Sequence, residues 1–124
     1  MGSLDEHIDD GVIVDPQFGQ VLVLGAGGVF TEIMSDSVSL LPPWTQTSIE
    51  SALRRLTVAK LLRGYRGKPP ADVDALLETI LCVARYAAAN VATLIEIDVN
   101  PVIVRPWGKG AVAVDTMIRL QRSG

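Results

Sequence analysis

Three polar residues near the C-terminus of the chain could bind a metal ion if the segment that carries them is a β-strand. The two-residue period of a strand over residues 94–100 places Glu96, Asp98 and Asn100 on one face. The opposite face would then carry the apolar residues Ile95, Ile97 and Val99. The pattern predicts a half-buried strand with oxygen-bearing side chains on its open face.

The apolar segment that follows is expected to return as a second strand and to bring another carboxylate to this face. If the hairpin closes symmetrically around Trp107 and Gly108, Asn100 lies opposite Asp115. Directly opposed side chains of an antiparallel pair have their Cβ atoms about 4.5–5.5 Å apart. Asp98, Asn100 and Asp115 are therefore expected to surround one point.

Two carboxylates and one amide at one point are electrostatically unfavourable alone, because like charges repel and burial adds a desolvation cost. A hard divalent cation would relieve the repulsion, and oxygen ligands with positions left for phosphate and water are typical of Mg²⁺. The residues thus indicate a Mg²⁺ site at Asp98, Asn100 and Asp115. Strand alternation alone fits a solvated sheet face equally well, so both interpretations stay open at this stage.

A glycine-rich loop at residues 25–28 follows another apolar strand and is a candidate for phosphate binding. Gly27 and Gly28 lack side chains, so their backbone amides could approach an anion, and Glu32 is the nearest charged residue. The dinucleotide-binding fingerprint fails, because it needs a small residue where this chain has Phe30. On local sequence alone, a simple turn between strands is favoured over a phosphate site.

The remaining reactive side chains do not form a catalytic set. His7 is the sole histidine and lies in a polar N-terminal segment, so no histidine-based triad can be built. Cys82 lies in an apolar-rich helix and is expected in the core. Arg63, Arg66 and Lys68 could bind an anion on their glycine-punctuated loop, but a solvated loop charge fits them equally well.

Composition excludes several classes of function for these 124 residues. A formal net charge of -3 gives no basic stripe for nucleic acid, which is therefore excluded as a partner. A single cysteine allows no internal disulfide and fits a reducing compartment, so the cytoplasm is the expected location. No apolar run approaches the length of a membrane helix, and no membrane association is expected.

The order of predicted elements favours an α+β fold with a mainly antiparallel β-sheet and two principal helices. The pair Thr47 and Glu50 has the spacing of a capping box and predicts the start of the first helix. Asp72 is the expected cap of the second. The predicted strands cover 12–14, 20–24, 38–41, 94–104 and 111–118, with helices over 47–57 and 73–90.

Five short segments between Val12 and Leu120 form a more specific combined pattern. They are Asp15–Gly19, Gly25–Glu32, Leu62–Pro70, Asp98–Pro101 and Val112–Asp115. In this order and spacing they resemble the C-terminal part of the ATP-grasp region of NDP-forming acyl-CoA synthetases. That family includes ADP-forming acetyl-CoA synthetase and relatives of the succinyl-CoA synthetase β-subunit.

The resemblance implies an ATP-grasp C-terminal subdomain that binds ATP or ADP with Mg²⁺. It implies interconversion of acid, CoA and NTP with acyl-CoA, NDP and phosphate through an acyl phosphate and a phosphohistidine. The metal-binding positions of the family map onto Asn100 and Asp115, and Asp98 and Glu32 match acidic positions expected near the metal and the phosphoryl group. The loop residues Gly27 and Gly28 would contact the nucleotide.

The resemblance also implies that further domains are needed for the reaction. Residues 12–120 would form the C-terminal subdomain, preceded by a polar segment or cloning remnant at 1–11 and followed by a tail at 121–124. The other ATP-grasp subdomain and the CoA-binding and ligase domains are then expected partners in cis or in trans. An acid–thiol ligase is expected for the complete protein and an inactive fragment for this chain alone.

Five points stay open at this stage: the acyl substrate, ATP against GTP, the oligomeric state, whether the chain is a fragment or a natural subunit, and the role of Arg63, Arg66 and Lys68. An alternative of a different class is a non-catalytic binding or regulatory module that keeps the ATP-grasp subdomain fold. Binding of Mg²⁺-nucleotide by the chain, compared with docking to the missing subdomain, would separate the two.

Overall fold

The computed structural model describes residues 6–26, 36–57, 59–64 and 69–121. Its elements, in chain order, are β1 (Glu6–Asp15), β2 (Gly19–Ala26), β3 (Ser37–Leu40), α1 (Gln46–Arg54), α2 (Ala59–Leu62), α3 (Val73–Ala89), β4 (Leu94–Val104), β5 (Ala111–Ala113) and β6 (Thr116–Leu120). The predicted α+β class with two principal helices is confirmed, because α2 has only four residues.

The strands form one sheet in which every pair is antiparallel. The order is β3-β2-β1-β4-β5, and β6 also pairs with β4 beyond the end of β5. The short strand β3 lies at the edge, as its Pro42-Pro43 terminus predicts. Strands β1 and β4 are therefore the central pair, and residues on them define the middle of both faces of the sheet.

Strand β1 begins earlier than the sequence pattern predicts. Residues before Val12 already pair with β4 on both sides of Asp9, and Ile8 and Val12 are fully buried on the same face. The acidic pair Asp9 and Asp10 interrupts the apolar pattern at this point, which is why the sequence shows a strand only from Val12.

The first principal helix also begins at a different residue from the one predicted. Its N-cap is Thr45, whose hydroxyl accepts from the Ser48 amide at 3.1 Å, while the Ser48 hydroxyl accepts from the Thr45 amide at 2.9 Å. The prediction of a capping box at Thr47 and Glu50 is therefore wrong by two residues. Serine replaces the usual acidic partner of this motif, which hides it from the sequence pattern.

Helix α3 covers one face of the sheet and leaves the other face free of helices among the described residues. Its buried residues follow helical spacing and pack against β1 and β4; they are Leu76, Leu77, Ile80, Ala84 and Ala87. Cys82 is exposed, so its predicted core position is wrong. It lies on the outer side of an otherwise correctly predicted amphipathic helix.

The carboxylate of Asp72 joins the start of α3 to the turn between β4 and β5. Oδ1 accepts from the Ala75 amide at 3.2 Å, which confirms the predicted N-cap. Oδ2 accepts from the amides of Gly108 at 3.2 Å and Gly110 at 2.9 Å. Asp72 thus fixes the tip of the C-terminal hairpin to the helix. No described helix is long and apolar enough to cross a membrane.

Candidate functional site

The C-terminal hairpin has the symmetric register that its turn predicts. Val104 pairs with Ala111, and the same register continues through Val99 with Thr116. The backbone N–H of Asn100 donates to the carbonyl oxygen of Asp115 at 2.9 Å. The expected opposition of Asn100 and Asp115 is therefore present in the backbone.

A β-bulge lies beside this pair, on the opposite side of β4. Two residues of β4, Asn100 and Pro101, face one residue of β1, Asp9. The regular pairs on either side of it are Asp10 with Val99 and Ile8 with Val102. Bulges of this kind redirect side chains and concentrate near functional sites. Here the bulge lies at the residue predicted to bind the metal.

The side chains of Asp98 and Asn100 lie on the face of the sheet away from α3. Val99 between them is 2% exposed and packs in the core, so its neighbours point the other way. Thr116 lies opposite Val99, and Asp115, which precedes β6, is held beside Asn100 by its backbone carbonyl. Of the three predicted metal residues, Asp98 and Asn100 thus lie on the open face, and the backbone of Asp115 is next to Asn100.

The carboxylate of Asp98 differs from that of Glu96, its neighbour on the same face. Glu96 lies 3.8 Å from the guanidinium of Arg119 and so has a counter-charge. Asp98 forms no ion pair and accepts no hydrogen bond among residues 6–26, 36–57, 59–64 and 69–121. Of the two, only Asp98 leaves an uncompensated carboxylate available to a cation.

Gly11 keeps the sheet open next to Asp98. It pairs with Asp98 across β1 and β4, and a Cβ at this position would lie 2.6 Å from the carbonyl oxygen of Ile97. Any larger residue would therefore push the two central strands apart. On the other side of Asp98, Met117 is the paired residue of β6. Asp98 thus lies between Gly11, which has no side chain, and Met117, whose side chain is flexible.

Asp9 is a site residue that the sequence analysis missed. Its Oδ1 is buried and has no hydrogen-bond partner among the described residues. Burial, and after it the charge of Asp98, raises the pKa of the Asp9 carboxyl above its usual value, while His7 lowers it. The signal was present in the sequence as two consecutive aspartates, but only the pairing of β1 with β4 places one of them at the bulge.

The end of strand β2 lies at the level of Val102 on β4. Ala26, the last residue of β2, pairs with Ile8, which in turn pairs with Val102 of β4. The predicted site residues Gly27, Gly28 and Glu32 lie outside the described residues. Ala26, the last described residue before this loop, is therefore one strand away from the bulge.

The other candidates of the sequence analysis lie apart from this face or cannot be placed. Arg63 is exposed just after α2. Arg66 and Lys68 lie outside the described residues. His7 is half-buried on β1 and influences Asp9 electrostatically, so it is closer to the site than its polar surroundings in sequence indicate.

The donor set fits a hard cation that brings its own additional ligands. Among the described residues there is no group of three or more histidine, cysteine, aspartate or glutamate side chains that could hold a metal ion alone. Asp98, Asp115 and the amide oxygen of Asn100 would instead supply two carboxylates and one neutral oxygen, a set with less negative charge than three carboxylates. Such a set suits Mg²⁺ that also binds phosphate oxygens and water.

Comparison with protein families gives one match, an ATP-grasp domain, over residues 10–120. Among curated proteins, a trans-feruloyl-CoA synthase from an unidentified prokaryote is 38% identical over 98% of this chain. The β-subunit of ADP-forming acetate–CoA ligase II from Pyrococcus furiosus is 36% identical over 90% of it. The chain spans only 17% and 47% of these two proteins.

Solved structures show the same fold in larger chains. The PH1788 protein of Pyrococcus horikoshii aligns with a TM-score of 0.90 at 33% identity, over 99% of this chain and 52% of its own. The dinucleotide forming acetyl-coenzyme A synthetase 1 of Ca. Korarchaeum cryptofilum, in complex with coenzyme A and Mg-AMPPCP, aligns with a TM-score of 0.86 at 32% identity. That alignment covers 98% of this chain and 55% of the other.

Proposed function

Because the chain belongs to the ATP-grasp domain family, we propose that it forms the Mg²⁺- and phosphate-facing part of an NDP-forming acyl-CoA synthetase. The complete enzyme would convert an acid, CoA and NTP to acyl-CoA, NDP and phosphate. The observation that carries the proposal is the position of Asn100, which lies at the β-bulge of β4 and whose backbone N–H donates to the carbonyl oxygen of Asp115 across the C-terminal hairpin. Relatives named as ADP-forming acyl-CoA ligases support this class of reaction.

Each residue at the bulge has a distinct role in this proposal. The amide oxygen of Asn100 and the carboxylate of Asp115 hold the cation, which supplies charge neutralisation to the nucleotide phosphates. Asp98, which has no counter-charge among the described residues, adds a further carboxylate to this metal site. From the sequence, the amides of Gly27 and Gly28 contact phosphate oxygens and Glu32 lies near the transferred phosphoryl group.

The remainder of the reaction requires other parts of the enzyme. The chain spans about half the length of the curated β-subunit and of the solved chains that it matches. We therefore assign acyl and CoA binding and the phosphohistidine to domains in cis or in trans, with the second ATP-grasp subdomain closing over the nucleotide. The acyl phosphate would form and react on those domains, while this chain aligns the phosphates.

Nucleotide binding with and without Mg²⁺, measured by calorimetry on the assembled enzyme, tests the site. We expect Asn100→Ala and Asp115→Ala each to weaken Mg²⁺-dependent binding by at least about tenfold, because each removes one cation ligand. Glu96→Gln is the matched control, since it removes a carboxylate of the same face that is already paired with Arg119. It should leave nucleotide binding unchanged.

The possible results separate the two classes of function. Wild-type dependence on Mg²⁺ in both Asn100→Ala and Asp115→Ala would show that the metal assignment is wrong. An assembly that docks this chain but binds no Mg²⁺-nucleotide would instead identify it as a non-catalytic module that retains the fold.

A further inference from the structure

A cavity lies on the helical side of the sheet, away from the bulge. It occupies about 440 Å³ between the loop that joins β3 to α1 and the C-terminal half of α3. Its apolar walls are formed by Pro42, Pro43, Trp44, Leu81, Ala84 and Ala88. The volume falls within the range of pockets that hold small organic ligands.

A buried amide gives this cleft a polar group. Gln20 lines the cavity, is 7% exposed, and its Nε2 donates to the carbonyl oxygen of Ala87 at 2.8 Å. Its amide oxygen accepts no hydrogen bond from any residue within the described ranges. That oxygen is not one of the fully buried atoms without a partner, so it keeps access to the cleft and can accept a hydrogen bond from water there.

The charged group at the cleft is positive. Arg85 lines the cavity and forms no ion pair with any residue that the structure describes. Across the cleft, helix α1 begins at Gln46, and the positive end of its dipole adds to the same sign. None of the described lining residues is acidic. The cleft therefore complements a negatively charged ligand.

We propose that this cleft binds a small organic anion in which an apolar body carries one carboxylate. The carboxylate pairs with the guanidinium of Arg85, which can donate two parallel hydrogen bonds to it. The apolar body fills the space between Trp44 and the small residues Ala84 and Ala88. This space is open because Ala84 and Ala88 on α3 have small side chains. The site is independent of the Mg²⁺ and nucleotide site.

Tryptophan fluorescence of the 124-residue chain can report on this cleft directly. The chain has two tryptophans, and Trp107 is 70% exposed on the distant hairpin turn. In a Trp107→Phe background, emission comes from Trp44 alone. The probes are cyclohexanecarboxylate, its neutral carboxamide with the same body, and acetate with the same charge but no body.

We expect a saturable change in Trp44 emission with millimolar cyclohexanecarboxylate and no saturation with acetate. Because a charge-assisted hydrogen bond is lost, Arg85→Gln should weaken carboxylate binding by about tenfold and leave carboxamide binding unchanged. Arg105→Gln, which removes an exposed arginine outside the cleft, is the matched charge control. Ala88→Leu should block both ligands by filling the cleft.

Two outcomes would overturn the proposal. One is the absence of any saturable response to cyclohexanecarboxylate in a chain whose circular dichroism shows that it is folded. The other is equal affinity for the carboxylate and the carboxamide with no effect of Arg85→Gln, which would mean that the cleft is only an apolar depression.

Discussion

The backbone N–H of Asn100 donates to the carbonyl oxygen of Asp115 at 2.9 Å, and one residue further on, the Val114 amide donates to Pro101 at 3.0 Å. These bonds hold the two halves of the candidate metal site together without involving their side chains. Changes to the side chains of Asn100 and Asp115 should therefore leave the hairpin intact. Because the backbone supports the hairpin and the side chains would bind the cation, substitutions can test the metal site without disrupting the fold.

Gly11→Ala should destabilise the central strand pair. The new Cβ would lie 2.6 Å from the carbonyl oxygen of Ile97, so β1 and β4 would have to separate beside Asp98. We expect a loss of about 1–3 kcal/mol in the free energy of unfolding, measured by urea denaturation. Gly25→Ala is the comparison, because its Cβ would lie 3.2 Å from the nearest atom and should cost less. Equal effects would contradict the close approach at Gly11.

The symmetric turn around Trp107 and Gly108 made the register of the C-terminal hairpin predictable from sequence. The pairing breaks down at Ile95, which was expected on the buried face but is 39% exposed. The register shifts between Leu94 and Glu96, and an irregularity of this kind reverses the side-chain alternation. Such register shifts depend on the partner strands and cannot be predicted from the local sequence.

The N-terminal part of the site could not be predicted for a different reason. Asp9 and Asp10 read as a polar tail, because burying a carboxylate is unfavourable and sequence patterns assign such residues to the surface. In the structure, pairing of β1 with both neighbours places Asp10 in the core and Asp9 at the bulge. Contacts with strands that are distant in sequence, above all with β4, determine these positions.

Asp72→Ala should loosen the hairpin tip as well as the start of α3. The substitution removes the acceptor for the amides of Ala75, Gly108 and Gly110. We expect a loss of about 1–3 kcal/mol in stability. Hydrogen exchange should show faster exchange at Gly108 and Gly110, whereas loss of the helix cap alone would affect only the first turn of α3.

Asp10 should make the stability of the chain depend on pH. The residue is fully buried, and neither carboxylate oxygen has a hydrogen-bond partner among the described residues. The charged residues of the neighbouring helix α3 point away from it, and burial alone raises the pKa of Asp10 well above 3.8. The folded chain therefore retains a proton that the unfolded chain releases.

Stability should fall as the pH rises from about 4 towards the raised pKa of Asp10, because only the unfolded state releases the proton over this interval. Asp10→Asn should flatten this dependence. Asp10→Val should flatten it and also add about 1–3 kcal/mol at neutral pH by removing a buried polar group. Urea denaturation at several pH values gives the slopes, with Glu78→Gln as an exposed control; an unchanged slope in Asp10→Asn would contradict the assignment.

Asp98→Asn should increase stability and decrease activity at the same time. The charge of Asp98 is one cause of the raised pKa of Asp9, so its removal relieves repulsion and should lower the pKa of Asp9, as measured by carboxyl NMR titration. In the assembled enzyme, the same change removes a carboxylate that faces the phosphates, and turnover should fall. Glu96→Gln is the control: it should slightly lower stability by removing the pair with Arg119 and should leave turnover normal. If Asp98→Asn retained full turnover, Asp98 would be a solvated residue of the open face and not part of the site.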